Sequence, residues 1–307
     1  MSQPLISVVI PVYNQEKYIA EALESVLAQK GVAFEVVVVN DGSTDRSAEI
    51  LQAYAGRITV LRQENKGEGE ARNTGIRSAR GELIALLDGD DRYLPGHLRQ
   101  IAEFEKAHPE AILFYGDAWI IDPRGKRLYL QKTRPRANLE NLLMGNFLIN
   151  SGTIIRMKLF EQGEWYHPWK HFADWDLWMR ATRYGSLVRY PWVGLEYRKH
   201  PESALQSKTA QAEEITIQIL NDALARNPEL DRLKSRALSN LYCDSGIRFL
   251  AAGHAPEARQ RFRAAMSGFP LNLRIGMGWL LSLVPPAGLN SLIKFRRMVK
   301  KWMSGQK

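Results

Sequence analysis

The sequence predicts an α/β fold, a mostly parallel sheet with helices on both faces, followed by a small α-helical region. Short apolar runs alternate with helical periodicity over residues 5–91, which is typical of a sheet built from strand–helix–strand units. After residue 203 the strand-like runs cease and apolar residues recur only at helical spacing. We therefore divide the chain into three parts, residues 1–203, 204–273 and 274–307.

The chain begins with a predicted strand and helix. Residues 5–11, LISVVIP, form a continuous apolar and β-branched run, as expected of a strand buried on both faces. Asn14 follows and is a candidate cap of the next helix, because its side chain can accept hydrogen bonds from free backbone N–H groups. In that helix apolar residues recur at positions 19, 22, 23, 26 and 27, on one face.

Three more apolar runs continue the alternation, at residues 34–40, 58–61 and 83–87. The first of them stops at the turn sequence DGST, and helical patterns separate all three. Parallel strands end at the same edge of a sheet, and ligands bind beyond that edge. We therefore expect the segments after the first, second and fourth strands to meet there and to form a ligand site.

Three acids crowd the end of the fourth strand, Asp88, Asp90 and Asp91 in the sequence DGDD. Carboxylates this close repel one another unless a cation lies among them. Hard divalent ions such as Mg²⁺ or Mn²⁺ prefer oxygen ligands and often bridge to phosphate. A solvated acidic turn is the alternative, because short Asp/Gly clusters also form turns.

The loop NKGEGEARN at residues 65–73 leads into a helix at the same edge. Lys66 and Arg72 add positive charge to backbone amides that Gly67 and Gly69 leave accessible, a combination suited to phosphate. The two glycines also suggest a dinucleotide-binding motif, but its third glycine position is Arg72, which weakens a dehydrogenase interpretation. A tight turn explains any one of these loops, but several polar loops at one edge favour a ligand site.

Composition and charge place broader limits. The 307 residues are 45% hydrophobic and 24% charged, as in ordinary soluble proteins. The only cysteine, Cys243, excludes an intramolecular disulfide framework, and residues 1–14 lack the basic start of a signal peptide. The net charge of +9 is concentrated near the end, where residues 271–307 carry seven Lys or Arg and no acid. We expect a cytoplasmic protein with a basic C-terminal segment.

Six motifs, in order and at matching spacing, resemble the inverting glycosyltransferases of family 2, which have the GT-A fold. They are VVIPVYN at 8–14, VNDGSTD at 39–45, NKGEGEARN at 65–73, DGDD at 88–91, DWDLWMR at 174–180 and YRKH at 197–200. The resemblance implies transfer of a hexosyl group from a nucleotide-diphosphate sugar, with a UDP-sugar as the expected donor, to an acceptor hydroxyl. It also implies a nucleotide-binding half, residues 1–117, and an acceptor-binding half, residues 118–203.

The resemblance implies roles for individual residues. Six are expected to bind the nucleotide: Pro11, Tyr13, Asp41, Lys66, Arg72 and Asp88. Asp41 would accept a hydrogen bond from the base imide N–H, and Asp88 would face the ribose or the metal. Asp90 would be the main metal ligand and His200 a second one, and a nitrogen ligand favours Mn²⁺. A hydrogen-bonded surface histidine is the alternative for His200.

Asp174 is the candidate catalytic base, which would take the proton of the attacking hydroxyl. The family supplies this base from a Glu-Asp pair, but here the pair reads Ala173-Asp174, so the Glu is missing. The alternative is that Asp174 caps a helix beginning at Trp175, and Asp176 is then the second candidate base. A divalent ion held by Asp90 would stabilise the charge that collects on the diphosphate leaving group.

Aromatic side chains are dense between these motifs: Trp165, Tyr166, Trp169, Trp175, Trp178 and Trp192. Most are expected in the core, Trp178 especially, and one or two can stack on an acceptor. The C-terminal region matches tetratricopeptide spacing at Tyr242, Gly246, Phe249, Ala258, Phe262, Ala265 and Pro270, which predicts two antiparallel helices between residues 239 and 272. One repeat cannot bury its own face, so we expect packing on the catalytic domain or in a homo-oligomer.

Residues 289–307 combine apolar and basic residues at helical spacing. This pattern is typical of a helix on an anionic membrane surface, whereas the apolar segment before Pro285 is too short to span a bilayer. A helix docked on the protein with a solvated basic face is the alternative, and sparse aromatic residues argue against nucleic acid. We expect a peripheral protein on the inner face of the membrane, with a glycan or lipid-linked acceptor.

Two other functions share parts of the pattern. A sugar nucleotidyltransferase would need a basic phosphate loop near the N-terminus, which VIPVYNQ lacks. A catalytically degenerate scaffold, acting through its helical C-terminal region, is disfavoured by intact acids: Asp41, Asp88, Asp90 and Asp174. A metal-assisted glycosyltransferase of cell-envelope polysaccharide or lipid-linked glycan synthesis is the function that the sequence favours.

Overall fold

The computed structural model describes residues 5–200, 209–268 and 273–283. The chain divides into two compact units, Met1–Gln206 and Ser207–Lys307. Within the described residues the first unit contains a nine-stranded sheet with helices, and the second unit is built from helices. The predicted α/β fold with a helical C-terminal region is therefore confirmed.

The strands are β1 (Ile6–Val12), β2 (Phe34–Asp41), β3 (Thr59–Gln63), β4 (Leu83–Leu86), β5 (Arg92–Tyr93), β6 (Ala111–Ile121), β7 (Arg127–Gln131), β8 (Ile154–Arg156) and β9 (Ser186–Arg198). The helices of the first unit are α1 (Ile19–Leu27), α2 (Ser47–Gln52), α3 (Glu68–Ser78), α4 (His97–Phe104), α5 (Leu139–Leu143), α6 (Lys158–Glu161) and α7 (Ala173–Ala181). The spatial order of strands is β3-β2-β1-β4-β8-β6-β9-β5, and β7 pairs with β6.

The first four strands form the parallel half of the sheet. β1 pairs in parallel with β2 and β4, and β2 pairs in parallel with β3. Every residue of β1 is buried, which explains its continuous apolar run. Its one polar residue, Ser7, donates to Glu35 at 2.7 Å and accepts from the Gly81 N–H at 2.8 Å. The carboxyl ends of these strands lie at one edge, as predicted.

Beyond β4 the sheet is mixed. β8 runs antiparallel to both β4 and β6, whereas β9 is parallel to β6 and antiparallel to β5. The long strand β9 ends at Arg198, whose backbone N–H donates to Asp91 at 2.7 Å. This bond joins the end of β9 to the loop after β4, and it brings residues 198–200 to the edge where the parallel strands end.

Asn14 does not cap α1, so that prediction was wrong. The N-cap residue is Tyr18, which makes no side-chain capping bond. Asn14 has a φ of 53° in the left-handed region, and its Oδ1 accepts from the Thr44 N–H at 2.8 Å. The loop between β1 and α1 is longer than the pattern indicated, and Asn14 ties it to the loop after β2.

The second unit contains α8 (Thr209–Ala225), α9 (Lys234–Ala251), α10 (Ala255–Gly268) and α11 (Leu273–Leu281). α9 and α10 are the two helices predicted between residues 239 and 272. Their shared core includes Cys243, Phe249 and Phe262, and Ile275 of α11 joins it. α11 therefore helps to cover the face that a single helical pair leaves open. In the described parts of the chain no helix is long and apolar enough to cross a membrane, and the predicted tail at 289–307 lies outside them.

Candidate active site

The loops after β1, β2 and β4 meet at the carboxyl edge of the sheet. The Thr44 N–H donates to Asn14 Oδ1, and Gly89 in the loop after β4 lies against the end of β1. A Cβ at Gly89 would lie 3.5 Å from the carbonyl oxygen of Pro11. Pro11 is buried, whereas Tyr13 at the end of β1 is 47% exposed. Tyr13 therefore presents its ring to solvent at this edge.

Asp41, at the end of β2, holds the loop that leads into α3. Its carboxylate accepts from the backbone N–H groups of Lys66 and Gly67, both at 2.9 Å, and from Gln63 Nε2 at 2.7 Å. Asp41 is 2% exposed, and these bonds satisfy a carboxylate that would otherwise be costly to bury. Lys66 joins the site through its backbone N–H, while the residue itself is exposed.

Arg72, on α3, links two of the acids. It is 4% exposed, its Nη2 donates to Asp88 Oδ1 at 2.7 Å, and it also pairs with Glu68 one turn earlier. Desolvation lowers the pKa of Arg72, but the charges of Glu68 and Asp88 raise it further, so its pKa lies above the usual value. Desolvation and the charge of Asp90 raise the pKa of Asp88 more than Arg72 lowers it. Arg72 therefore remains charged and only partly neutralises its neighbours.

Asp174 lies in the first turn of α7. The helix begins at Ala173, two residues earlier than the capping alternative requires, and the preceding residue Phe172 has a left-handed φ of 60°. Asp174 is therefore not the N-cap residue, and that interpretation was wrong. Its Oδ2 accepts from Asn146 Nδ2 at 3.1 Å, and the residue is half-buried.

The electrostatics of Asp174 connect it to Arg72. Desolvation raises the pKa of Asp174, and the charge of Asp88 adds to this effect. The backbone N–H of Trp175 and the charge of Arg72 lower that pKa, but the net pKa remains above the usual value. We call Glu68, Arg72, Asp88 and Asp174 the Arg72 cluster. Its three acids share one arginine, so it retains excess negative charge.

Glu68 is the member of the Arg72 cluster that the sequence analysis did not select. Its side chain is 57% exposed. Arg72 lowers the pKa of Glu68, but desolvation by the surrounding protein and the charges of Asp88 and Asp174 raise it more. The signal that could have identified Glu68 is its spacing, four residues before Arg72 on the same helix.

Asp90 and His200 form a second part of the site. His200 Nε2 lies 2.8 Å from Asp90 Oδ2, and these side chains are 6% and 16% exposed. One oxygen and one nitrogen donor side by side fit Mn²⁺, and Asp90 alone would also suit Mg²⁺. Across residues 5–200, 209–268 and 273–283, no group of three or more His, Cys, Asp or Glu side chains is arranged to hold an ion. Asp90 and His200 alone would not complete the coordination of such an ion.

Asp176, the second candidate base, belongs to a separate and closed group, which we call the Arg180 cluster: Glu164, His167, Asp176 and Arg180. Asp176 is 1% exposed, and its Oδ2 lies 3.0 Å from Arg180 Nε and 2.8 Å from His167 Nδ1. Arg180 also pairs with Glu164. Desolvation raises the pKa of Glu164, but hydrogen bonds from Tyr184 and Arg180 lower it more. The buried carboxylate of Asp176 is thus occupied by partners within this cluster.

The aromatic side chains divide between core and site. Trp178 is fully buried, as predicted, and Trp175 donates from Nε1 to the Leu142 carbonyl at 2.9 Å. The ring of Tyr166 lies 5.6 Å from the Arg72 guanidinium. Trp169 is half-buried, and its indole N–H has no hydrogen-bond partner in the described part of the chain.

Comparisons with known proteins identify the family of this chain. A family profile described as glycosyl transferase family 2 matches residues 7–163. An uncharacterised glycosyltransferase of Rickettsia typhi is 34% identical over 219 residues, which is 69% of this chain and 69% of that protein. Glycosyltransferase GlyG of Streptococcus pneumoniae is 48% identical over 91 residues, 28% of this chain and 30% of that protein.

Two solved structures share the fold. TarS of S. aureus, residues 1–349 in complex with UDP-GlcNAc, has a TM-score of 0.60 at 20% identity, over 86% of this chain and 91% of that one. The mannosyltransferase PcManGT of Pyrobaculum calidifontis, in complex with GDP-Man and Mn²⁺, has a TM-score of 0.62 at 17% identity, over 100% of this chain and 89% of that one. These likenesses establish the GT-A fold alone. The profile, which matches just over half of the chain, and the Rickettsia relative show that this protein is a glycosyltransferase and belongs to glycosyl transferase family 2.

Proposed function

We propose that the protein transfers a hexosyl group from a nucleotide-diphosphate sugar, UDP-linked, to an acceptor hydroxyl with inversion and with the help of Mn²⁺ or Mg²⁺. The observation that carries this proposal is the contact of 2.8 Å between Asp90 and His200. Asp90 lies in the loop after β4 that also carries Asp88 of the Arg72 cluster, and His200 follows β9. The complexes of TarS with UDP-GlcNAc and of PcManGT with GDP-Man and Mn²⁺ support a nucleotide-sugar donor and a divalent ion.

In the proposed reaction Asp174 takes the proton of the acceptor hydroxyl as that oxygen attacks the anomeric carbon. A raised pKa makes its carboxylate a stronger base, while the charge of Arg72 favours its ionised form. Attack opposite the leaving group in a single displacement inverts the anomeric carbon, and one base suffices for it. When bound by Asp90 and His200, the ion would act as a Lewis acid on the leaving diphosphate.

The donor side of the proposed site lies at the ends of the parallel strands. We assign nucleotide binding to Pro11, Tyr13, Asp41, Lys66, Arg72 and Asp88. The exposed ring of Tyr13 offers a surface for a base, and the oriented carboxylate of Asp41 offers an acceptor for a base N–H. Exposed Lys66 supplies positive charge beside it.

The acceptor is proposed to be a cell-envelope polysaccharide or a lipid-linked glycan. The half-buried ring of Trp169 supports a sugar acceptor, because the face of an indole can stack on a sugar ring. Attachment to an anionic membrane through residues 289–307 is proposed from their basic and apolar sequence.

The test is thermal unfolding with UDP and a panel of UDP- and GDP-sugars, with Mn²⁺ or with chelator. We expect a UDP-sugar to stabilise the protein only when Mn²⁺ is present, and Asp90→Ala to remove both this effect and turnover. Glu103→Ala, an exposed acid on α4, is the matched control and should behave as wild type. Equal stabilisation with chelator and with Mn²⁺ would contradict the role of the ion.

A further inference from the structure

Helix α11 presents an apolar face to solvent. Leu273 is 77% exposed, Met277 52% and Leu280 59%, and Leu283 just after the helix is 48% exposed. The first three recur at intervals of four and three residues and so lie on one side of the helix. The outer side of a helix on the surface of a compact unit is normally polar, so the apolar outer side of α11 departs from the usual pattern.

The opposite side of α11 fixes this orientation. Ile275 is fully buried in the core shared with α9 and α10. Gly278 lies so close to Phe262 that a Cβ at position 278 would stand 2.5 Å from the ring. Only glycine fits at this contact, so α11 cannot rotate to place one of its larger side chains against Phe262. Its large apolar side chains therefore remain on the outer side.

Charge restricts what can cover this face. Arg274, at its edge, is 61% exposed and pairs with Asp244 of α9 at 2.7 Å, and residues 271–307 carry seven Lys or Arg and no acid in total. A second copy would add another seven cations to the complex, and residues 271–307 offer no acid to pair with them. Four partly exposed aliphatic side chains also offer only on the order of 400 Å², well below the roughly 800 Å² per partner that a stable dimer buries.

We propose that the outer face of α11, Leu273, Met277, Leu280 and Leu283, inserts into the interfacial region of an anionic lipid membrane. Apolar side chains beside a concentration of cations are the combination that binds such surfaces, because apolar burial and attraction to anionic headgroups add. The inference rests on the proposed membrane attachment of residues 289–307 for its charge. It does not depend on the transfer reaction.

The experiment measures sedimentation of the full-length protein with phosphatidylcholine vesicles, with and without phosphatidylglycerol. Leu280→Glu should lower partition onto the anionic vesicles at least about tenfold, because it removes a leucine that inserts into lipid and adds a charge that the anionic headgroups repel. Leu280→Ser should lower it by a smaller factor. Leu128→Glu is the matched control, since Leu128 on β7 is 54% exposed in the other unit. It should bind within about twofold of wild type.

High salt distinguishes membrane binding by the α11 face from binding by the basic residues 289–307. At 1 M NaCl the Debye length is about 3 Å, so attraction of the basic residues is screened and the binding that remains should depend on Leu280. Failure of wild type to bind anionic vesicles, or wild-type binding by Leu280→Glu, would overturn the proposal. So would a wild-type dimer without lipid that Leu280→Glu converts to a monomer. Donor stabilisation, measured in parallel, should be equal in all variants, so the membrane and transfer proposals fail separately.

Discussion

The Arg72 cluster and the Arg180 cluster are built from the same residue types, but their acids differ in pKa. Each centres on an arginine that is 4% exposed, and each arginine pairs with an acid four residues earlier on its own helix. In the Arg180 cluster the acids are saturated with partners, and the pKa of Glu164 lies below its usual value. In the Arg72 cluster the pKa values of Glu68, Asp88 and Asp174 all lie above their usual values.

The difference lies in stoichiometry and access rather than in residue type. Arg180 meets Asp176 and Glu164, and His167 and Tyr184 supply further donors. Arg72 pairs with Glu68 and Asp88, and its charge also acts on Asp174; Glu68 is more than half exposed and Asp174 is half-buried. A saturated buried cluster stabilises the fold, whereas an open cluster with excess negative charge remains able to bind substrate or exchange a proton.

The largest effect on stability is expected from breaking the Arg180 cluster. Arg180→Met leaves the buried carboxylates of Asp176 and Glu164 without their main partner, and removing one partner of a buried ion pair costs about 3–5 kcal/mol. Chemical denaturation should show this loss. Arg136→Met, an exposed arginine elsewhere in the same unit, is the control and should change stability by less than about 0.5 kcal/mol. A loss below about 1 kcal/mol for Arg180→Met would mean that the cluster is not structural.

An intermediate effect is expected at Asp41, which holds the loop leading to the Arg72 cluster. Asp41→Ala removes the acceptor that holds the Lys66 and Gly67 amides at the start of α3, together with the proposed acceptor for the base. Lost charge-assisted hydrogen bonds of this kind are worth about 1.5–3 kcal/mol. Calorimetric titration with UDP and Mn²⁺ should show this weakening, whereas exposed Glu64→Ala, in the same loop, should bind as wild type. Unchanged binding by Asp41→Ala would remove Asp41 from the donor site.

The smallest effect tests the electrostatic coupling between Glu68 and Asp174 in the Arg72 cluster. As a base, Asp174 acts only when ionised, so the rate should fall as pH drops through its raised pKa. Glu68→Gln removes a nearby negative charge and should lower the pKa of Asp174, which moves the acidic limb of the pH–rate profile to lower pH by a few tenths of a unit.

Glu70→Gln is the control for this profile, because Glu70 pairs with Arg77 and Asn73 outside the cluster. Its acidic limb should coincide with that of wild type. An acidic limb that stays in place or moves to higher pH in Glu68→Gln would show that Glu68 does not act on the base.

Sequence alone predicted the parallel half of the sheet well, because strands buried on both faces leave continuous apolar runs. The mixed half left little signal, since β5 has two residues and β8 has three. Glu68 was missed because an acid at the start of a helix is common. Asp174 and Asp176 could not be separated, since residues two apart point about 200° apart on a helix. Which of the two faces the site depends on tertiary contacts, such as the one between Asp174 and Asn146, 28 residues apart in sequence.

The central claim is that Asp174 reacts while Asp176 holds the fold, and one paired measurement tests it. Asp174→Asn keeps the shape of the side chain but cannot accept the proton, so turnover should fall by about 10²–10⁴ while stability and donor binding stay near wild type. Asp176→Asn weakens a buried ion pair, so stability should fall by about 1–3 kcal/mol while the folded enzyme keeps turnover within a few-fold. Near-normal turnover by Asp174→Asn, or full stability with lost turnover in Asp176→Asn, would contradict this division of roles.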